Sequence, residues 1–245
     1  MGEMVLRETN KMNEQSAGIA LIGTGGVANM HAQGFQAQPR GKLIGAYSRN
    51  PTNVANFAAQ YDIKAYKSLE ELLEDEAVDG VAVVSPTPTH VPIAIQCLEA
   101  GKDVLLEKPL GVSTQEVETL LKVVEQTGQR CMPNHNYIYS PEVRRAREYI
   151  EAGRFGRLSS MWLIYNLKHW PDLGTPGLLL WELCIHHVYV MLYLVGRPIR
   201  VSACGTNVFF SDPNVPDQVS IQAELANGCI VNLWASLGVD DKTLV

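Results

Sequence analysis

From Gly18 onward, short apolar runs alternate with stretches whose apolar positions recur every three or four residues. "GIALIG" (18–23) is a strand pattern, and residues 27–38 carry helical spacing that ends at Pro39. "KLIGAYS" (42–48) predicts a second strand, followed by a helix over 53–60 with Thr52 as its cap. Ser68 and Glu71 form an S-x-x-E capping box for "LEELLED". "VDGVAVVS" (78–85) is almost continuously apolar, and the helix predicted after it, over 90–100, stops at Gly101. "DVLLE" (103–107) is the next strand, and a second capping box, Ser113 and Glu116, opens a helix that Gly128 ends. Strands this apolar, separated by single helices, imply a parallel sheet covered on both faces. The prediction is a doubly wound α/β domain over residues 17–135, preceded by a disordered polar tail over 1–16.

The pattern changes after about residue 136. "SPEVRRAREYIEAGRFG" reads as a helix begun at Ser140-Pro141, "LSSMWLIYNL" as a strand, and residues 177–195 as a largely apolar helix. "IRVSACGTNVFF", "QVSIQAEL" and "CIVNLWASLG" are strand-like, the last two joined through Asn227-Gly228, a hairpin signal. Val219, Ile221, Ala223 and Leu225 alternate with Ser220, Gln222 and Glu224, so this sheet is expected to bury one face only. Residues 136–245 are therefore expected to form a second, α+β domain with a mostly antiparallel sheet.

Composition narrows the function class. The chain has 245 residues, 46% of them hydrophobic and 19% charged, with a net charge of −6, which excludes the basic face a nucleic-acid binder needs. No apolar run approaches the ~18 residues of a membrane helix. Cys97, Cys131, Cys184, Cys204 and Cys229 are odd in number and form no C-x-x-C pair. Scattered thiols fit a reducing compartment better than a disulfide framework or a zinc site, so the expected location is the cytoplasm.

"LIGTGGVA" contains Gly23-x-Gly25-x-x-Ala28 between an apolar strand and a helix, with Gly26 inside it. In that context the glycines allow a tight turn and let a pyrophosphate approach backbone N–H groups at a helix N-terminus, the Rossmann fingerprint of a dinucleotide site. A site that selects NAD places Asp or Glu about 20 residues further on. Here no acidic residue occurs between Glu14 and Asp62, and Ser48-Arg49 stand at the end of the second strand. A guanidinium suits a 2′-phosphate, so NADP is expected over NAD; a surface arginine in a capping turn is the plainer alternative.

Glu107-Lys108-Pro109 ends the strand "DVLLE". Ligands of open α/β sheets bind beyond the carboxyl ends of strands, where a lysine can stabilise negative charge developing on oxygen. An isolated Glu-Lys pair would read as a surface ion pair. "SPTPTHVPIAIQCLEAGKDVLLEKP", however, resembles the T-P-N-x-x-H…A-G-K-x-V-x-x-E-K-P signature of the glucose–fructose oxidoreductase/inositol dehydrogenase (Gfo/Idh/MocA) family. Ser85-Pro86-Thr87 takes the T-P-N place, His90 the histidine and Glu107-Lys108-Pro109 the E-K-P, over a match spanning residues 18–200 or more. The resemblance implies an NAD(P)-binding Rossmann domain, a second domain with an open sheet, and oxidation or reduction of a sugar, cyclitol or related alcohol. It also implies that Lys108 is catalytic and that Ser85, Pro86, Thr87, His90 and Glu107 line the cofactor site.

The family's second signature, D-x-x-x-H within "D-L-G-I-H-H-L-D", here reads "WELCIHHVY". Glu182 and His186 stand at i and i+4, on one helix face. His186 can take a hydroxyl proton near neutral pH, and Glu182 can orient the imidazole or hold a neighbouring hydroxyl. Both could instead be polar residues tolerated in an apolar helix. A metal held by Glu182, His186 and His187 is disfavoured, because adjacent histidines point to different helix faces; none is expected. Glutamate for aspartate at 182, Cys184 for glycine, Tyr189 for the later aspartate and Ile138 for an arginine depart from the family pattern, and the changes at 182, 138 and 189 motivate a rival reading, a non-catalytic dinucleotide-binding sensor. Family members are longer, so the chain is expected to be truncated at its C-terminus. A homo-oligomer assembled through the second sheet is the expected partner arrangement.

Overall fold

A computed structural model describes residues 16–168, 179–208 and 216–239. The expected tail therefore lies outside the described residues except for Ser16, as do residues 177–178 of the predicted helix and 209–210 of the predicted strand. The chain divides into two compact units, Met1–Asn134 and His135–Val245.

In the first unit β1 (Ala17–Ile22), β2 (Gly41–Tyr47), β3 (Lys64–Ala65), β4 (Gly80–Val83), β5 (Asp103–Leu106) and β6 (Cys131–Pro133) form one parallel sheet in the order β3-β2-β1-β4-β5-β6. The order reverses between β1 and β4, which opens a crevice at their carboxyl ends. Five helices cover the sheet: α1 (Gly26–Gln36), α2 (Pro51–Tyr61), α3 (Leu69–Glu74), α4 (His90–Glu99) and α5 (Thr114–Thr127). Alternate residues of β1 and β4 enter opposite cores. Ala20, Ile22, Val81 and Val83 pack with Leu72, Leu98 and Leu120 of α3, α4 and α5. Leu21 and Ala82 pack with Ala28, Phe57 and Tyr61 of α1 and α2. Burial on both faces is why these strands read as unbroken apolar runs. β3 and β6 are too short to leave such a pattern, and the sequence does not predict them.

Side-chain caps place most helix starts. Ser68 Oγ accepts the Glu71 N–H at 3.1 Å and Ser113 Oγ accepts the Glu116 N–H at 3.2 Å, as the capping boxes predict. At α2 the structure corrects the expectation: Asn50, not Thr52, is the cap, its Oδ1 accepting the Asn53 N–H at 3.0 Å, with Pro51 at the first helical position. Proline there fixes the preceding residue in extended backbone, which is the cap geometry.

The second unit holds a 3-10 turn (Asn136–Tyr139), α6 (Pro141–Glu151) capped by Ser140, β7 (Ser160–Lys168), α7 (Ile185–Val195), β8 (Pro198–Thr206), β9 (Gln218–Leu225) and β10 (Ile230–Val239). The sheet order is β7-β10-β9-β8; β8/β9 and β9/β10 are antiparallel, whereas β7 runs parallel to β10. Gly228 takes φ +83° in the predicted hairpin turn. Val219, Ala223 and Leu225 are buried as the alternation predicts, with Ile221 half-buried, and Val231, Leu233, Ala235 and Leu237 of β10 are buried as well. The helix predicted through residue 195 is not α-helical at its start: Leu179–Cys184 winds as a π-helix and passes into α7. Among the described residues no helix is long and apolar enough to cross a membrane.

Replacing Asn50 with Ala should lower stability by about 1 kcal/mol, whereas Thr52→Ala should stay within about 0.5 kcal/mol of wild type, measured by urea unfolding.

Candidate functional site

Each of the two units carries candidate functional side chains. In the first, β1 runs into Gly23, whose φ of +110° and whose position against β4 both demand glycine. A Cβ there would lie 2.7 Å from the Val84 carbonyl oxygen. α1 then starts at Gly25 with no side-chain cap, whereas α2, α3 and α5 are closed by Asn50, Ser68 and Ser113. Gly25 and Gly26 are exposed, and a Cβ at either would meet no protein atom within 4 Å. Ala28 is fully buried between α1 and the sheet. Uncapped N–H groups beside open space fit the pyrophosphate of a dinucleotide. Ser48 and Arg49 follow the end of β2; the Ser48 hydroxyl accepts the Asn50 N–H at 3.4 Å, and Arg49 is exposed.

At the end of β4, Thr89 Oγ1 lies 2.7 Å from both Ser85 Oγ and the Pro86 carbonyl, and Thr87 opens the short 3-10 turn before α4. His90 is only 2% exposed. Its Nδ1 lies 2.7 Å from the Pro109 carbonyl and its Nε2 2.7 Å from the Ser85 carbonyl, so the ring braces the loop after β5 against the end of β4.

Glu107 is also buried. An ionised carboxylate only accepts. Its Oε1 takes a hydrogen bond from His31 Nε2 at 2.7 Å and another from Asn134 Nδ2, and its Oε2 takes the Lys108 N–H at 3.0 Å. Burial alone would raise its pKa. The His31 and Asn134 hydrogen bonds, the His31 charge and the Lys108 N–H outweigh burial and hold the carboxyl below the usual carboxylate range. Lys108, half-buried, thus leaves a backbone fixed on one side by Glu107 and on the other by the Pro109–His90 contact. The sequence reading missed His31 and Asn134, which lie 76 and 27 residues from their partner.

In the second unit His186, His187 and Tyr189 of α7 are buried. His186 Nδ1 lies 2.6 Å from the Tyr189 hydroxyl, which donates to Asn136 Oδ1 at 3.0 Å and accepts the Tyr137 N–H at 3.3 Å. The Tyr137 ring stacks on His186 at a centroid distance of 4.5 Å, and His135 stacks on Tyr189 at 4.3 Å. Glu182 stands in the π-helical turn, and the hydroxyl at His186 Nδ1 belongs to Tyr189, a residue the sequence marked only as a departure. Ile138 lies in the 3-10 turn with Asn136 and Tyr137. Burial lowers the pKa of His135 and of His187, whose Nδ1 has no partner among the described residues. The Tyr165 hydroxyl is raised by burial and by its hydrogen bond with Tyr137. Burial pushes the Cys184 thiol up to about 11.

Two family descriptions match the chain: "Oxidoreductase family, NAD-binding Rossmann fold" over residues 17–135 and "GFO/IDH/MocA C-terminal domain" over 143–243. The 4-carboxy-2-hydroxymuconate-6-semialdehyde dehydrogenase of Sphingobium sp. is 28% identical over 229 residues, which cover 91% of this chain and 72% of the relative. Glucose-6-phosphate 3-dehydrogenase of Bacillus subtilis is 27% identical over 238 residues, covering 89% and 67%. The crystal structure of GenD2 from gentamicin A biosynthesis, in complex with NAD, superposes with a TM-score of 0.82 at 28% identity, covering 92% of this chain and 67% of that one.

A carboxyl depressed on folding contributes stability above its unfolded pKa of about 4.3, and that contribution is lost as pH falls through the lower folded value. The urea midpoint of the wild type should therefore drop more steeply below pH ~4.3 than that of Glu107→Gln; parallel acid profiles would refute the depressed carboxylate.

Proposed function

This chain belongs to the GFO/IDH/MocA oxidoreductase family, and we propose that it transfers hydride between a nicotinamide dinucleotide, NADP in preference to NAD, and a hydroxyl-bearing carbon of a sugar, cyclitol or related polyol. The observation that carries this reading is the Glu107–His31–Asn134 network, because it fixes the backbone from which Lys108 projects, at the carboxyl end of β5. When bound, the dinucleotide supplies the hydride acceptor or donor. The N–H groups at Gly25 and Gly26 hold its phosphates, and Ser48 and Arg49 face the ribose, with the guanidinium selecting a 2′-phosphate.

During oxidation Lys108 donates a hydrogen bond to the substrate oxygen and steadies the negative charge that builds there. His186 accepts the hydroxyl proton and returns it when the reaction runs in reverse. Glu182 binds a neighbouring hydroxyl, a role suited to a substrate with several of them. Glu107 stays ionised and acts on Lys108 through the backbone, whereas His90 braces the same loop from its other side. The sugar-phosphate relative supports the polyol class.

Lys108→Ala should lower turnover at least ~10²-fold, read from cofactor absorbance during a screen of glucose 6-phosphate, inositols and free sugars. Near-normal turnover would remove the lysine from the mechanism, and cofactor binding without any redox change would favour the sensor.

Parallel fluorescence titrations with NADPH and NADH should show tighter NADPH binding, and Arg49→Ala should erase the difference. An NADH preference in the wild type would refute the role given to Arg49.

A further inference from the structure

We propose that Tyr189 sets the tautomer of His186, placing the ring proton on Nδ1 and leaving Nε2 as the nitrogen that accepts a proton. The inference rests on the reading of His186 as the base, and hydrogen-bond valence carries it. The Tyr137 backbone N–H can only donate, so at 3.3 Å it occupies one acceptor position of the Tyr189 oxygen. The hydroxyl's single proton is directed to Asn136 Oδ1 at 3.0 Å. What the oxygen offers His186 Nδ1 at 2.6 Å is therefore a lone pair, and the imidazole must donate.

Packing holds the arrangement. Tyr137 stacks on the imidazole and His135 on the Tyr189 ring, which holds Nδ1 and the hydroxyl within hydrogen-bond reach of each other. The arrangement needs the Asn136 amide with its oxygen toward Tyr189. With the amide reversed, the Asn136 NH2 would donate to Tyr189, which would donate to Nδ1 and move the ring proton to Nε2. A tyrosine hydroxyl that donates its proton to Asn136 orients the ring without placing a negative charge beside it. Tyr189 is thus a positioning residue that acts through His186.

Long-range 1H–15N spectra of the full chain labelled with 15N-histidine test this at pH ~8, above the ordinary imidazole pKa. The His186 signals are assigned by their loss in His186→Asn. In the wild type they should show one tautomer with Nε2 unprotonated. Tyr189→Phe should replace that pattern with a mixed one, with the remaining histidine signals unmoved. Asn136→Asp, which can still only accept from the hydroxyl while ionised, should preserve the wild-type pattern. Asn136→Leu should lose it, and it serves as the test should Tyr189→Phe fail to fold. A protonated Nε2 in the wild type, or an unchanged pattern in Tyr189→Phe or Asn136→Leu, overturns the proposal. The readout needs no substrate. Full turnover by His186→Asn would remove the base while leaving the tautomer result intact, and a failed tautomer result beside an inactive His186→Asn would leave the base standing.

Discussion

A carboxylate taken out of water must have its oxygens satisfied, and in the first unit Glu107 meets that requirement from its own following residue and from two distant parts of the chain. His31 comes from α1, Asn134 from the residue following β6, and the Lys108 N–H from the loop that Glu107 itself begins. Removing one partner of a buried ionic group typically costs about 3–5 kcal/mol, because the remaining charge stays unpaired. The helix that starts at the glycine turn, the end of β5 and the segment leaving β6 are therefore tied to one another. His90 adds a second tie, between the end of β4 and the Pro109 carbonyl. Lys108 projects from backbone constrained on both sides, the preorganisation that the role proposed for it calls for.

In the second unit the group at Nδ1 of the buried His186 is a hydroxyl. This histidine is oriented by a tyrosine hydroxyl, a side-chain amide and a backbone N–H, and its plane is held by stacked rings. Hydrogen bonds that satisfy buried polar groups offset the desolvation of placing them in the apolar surroundings of α7. The π-helical turn at Leu179–Cys184 belongs to the same region and carries Glu182. Such turns insert one residue into a helix and are frequent at functional sites.

What could be read from the sequence was what is local. Strands buried on both faces announce themselves as apolar runs, capping boxes as S-x-x-E, and the β9–β10 turn as Asn227-Gly228. The glycine turn was legible because its strand and helix flank it directly. What escaped was non-local or geometrically degenerate. Two-residue β3 has no room for a pattern, and Asn50 was overlooked as a cap because Thr52 stands two residues later. The parallel pairing of β7 with β10 depends on which sheet edge β7 joins, and no residue in either strand encodes that. His31 gave no signal at all, being one histidine on a helix whose partner lies far along the chain. Tyr189 was visible only as a mismatch to a pattern, since its meaning depends on Asn136 and Tyr137, more than fifty residues away.

The glycine turn also divides its own positions by the kind of failure a change would cause. At Gly23 any larger residue collides with the Val84–Ser85 backbone just past β4 and must adopt a left-handed conformation, so a variant there is lost at the level of the folded polypeptide. At Gly25 and Gly26 a methyl group meets nothing, and the fold accommodates it; only an incoming molecule would be obstructed. One short motif therefore divides into a position whose alteration is lost in the folded polypeptide and two whose alteration the fold tolerates, and a population of mutants would split accordingly into chains that fail to accumulate and chains that accumulate.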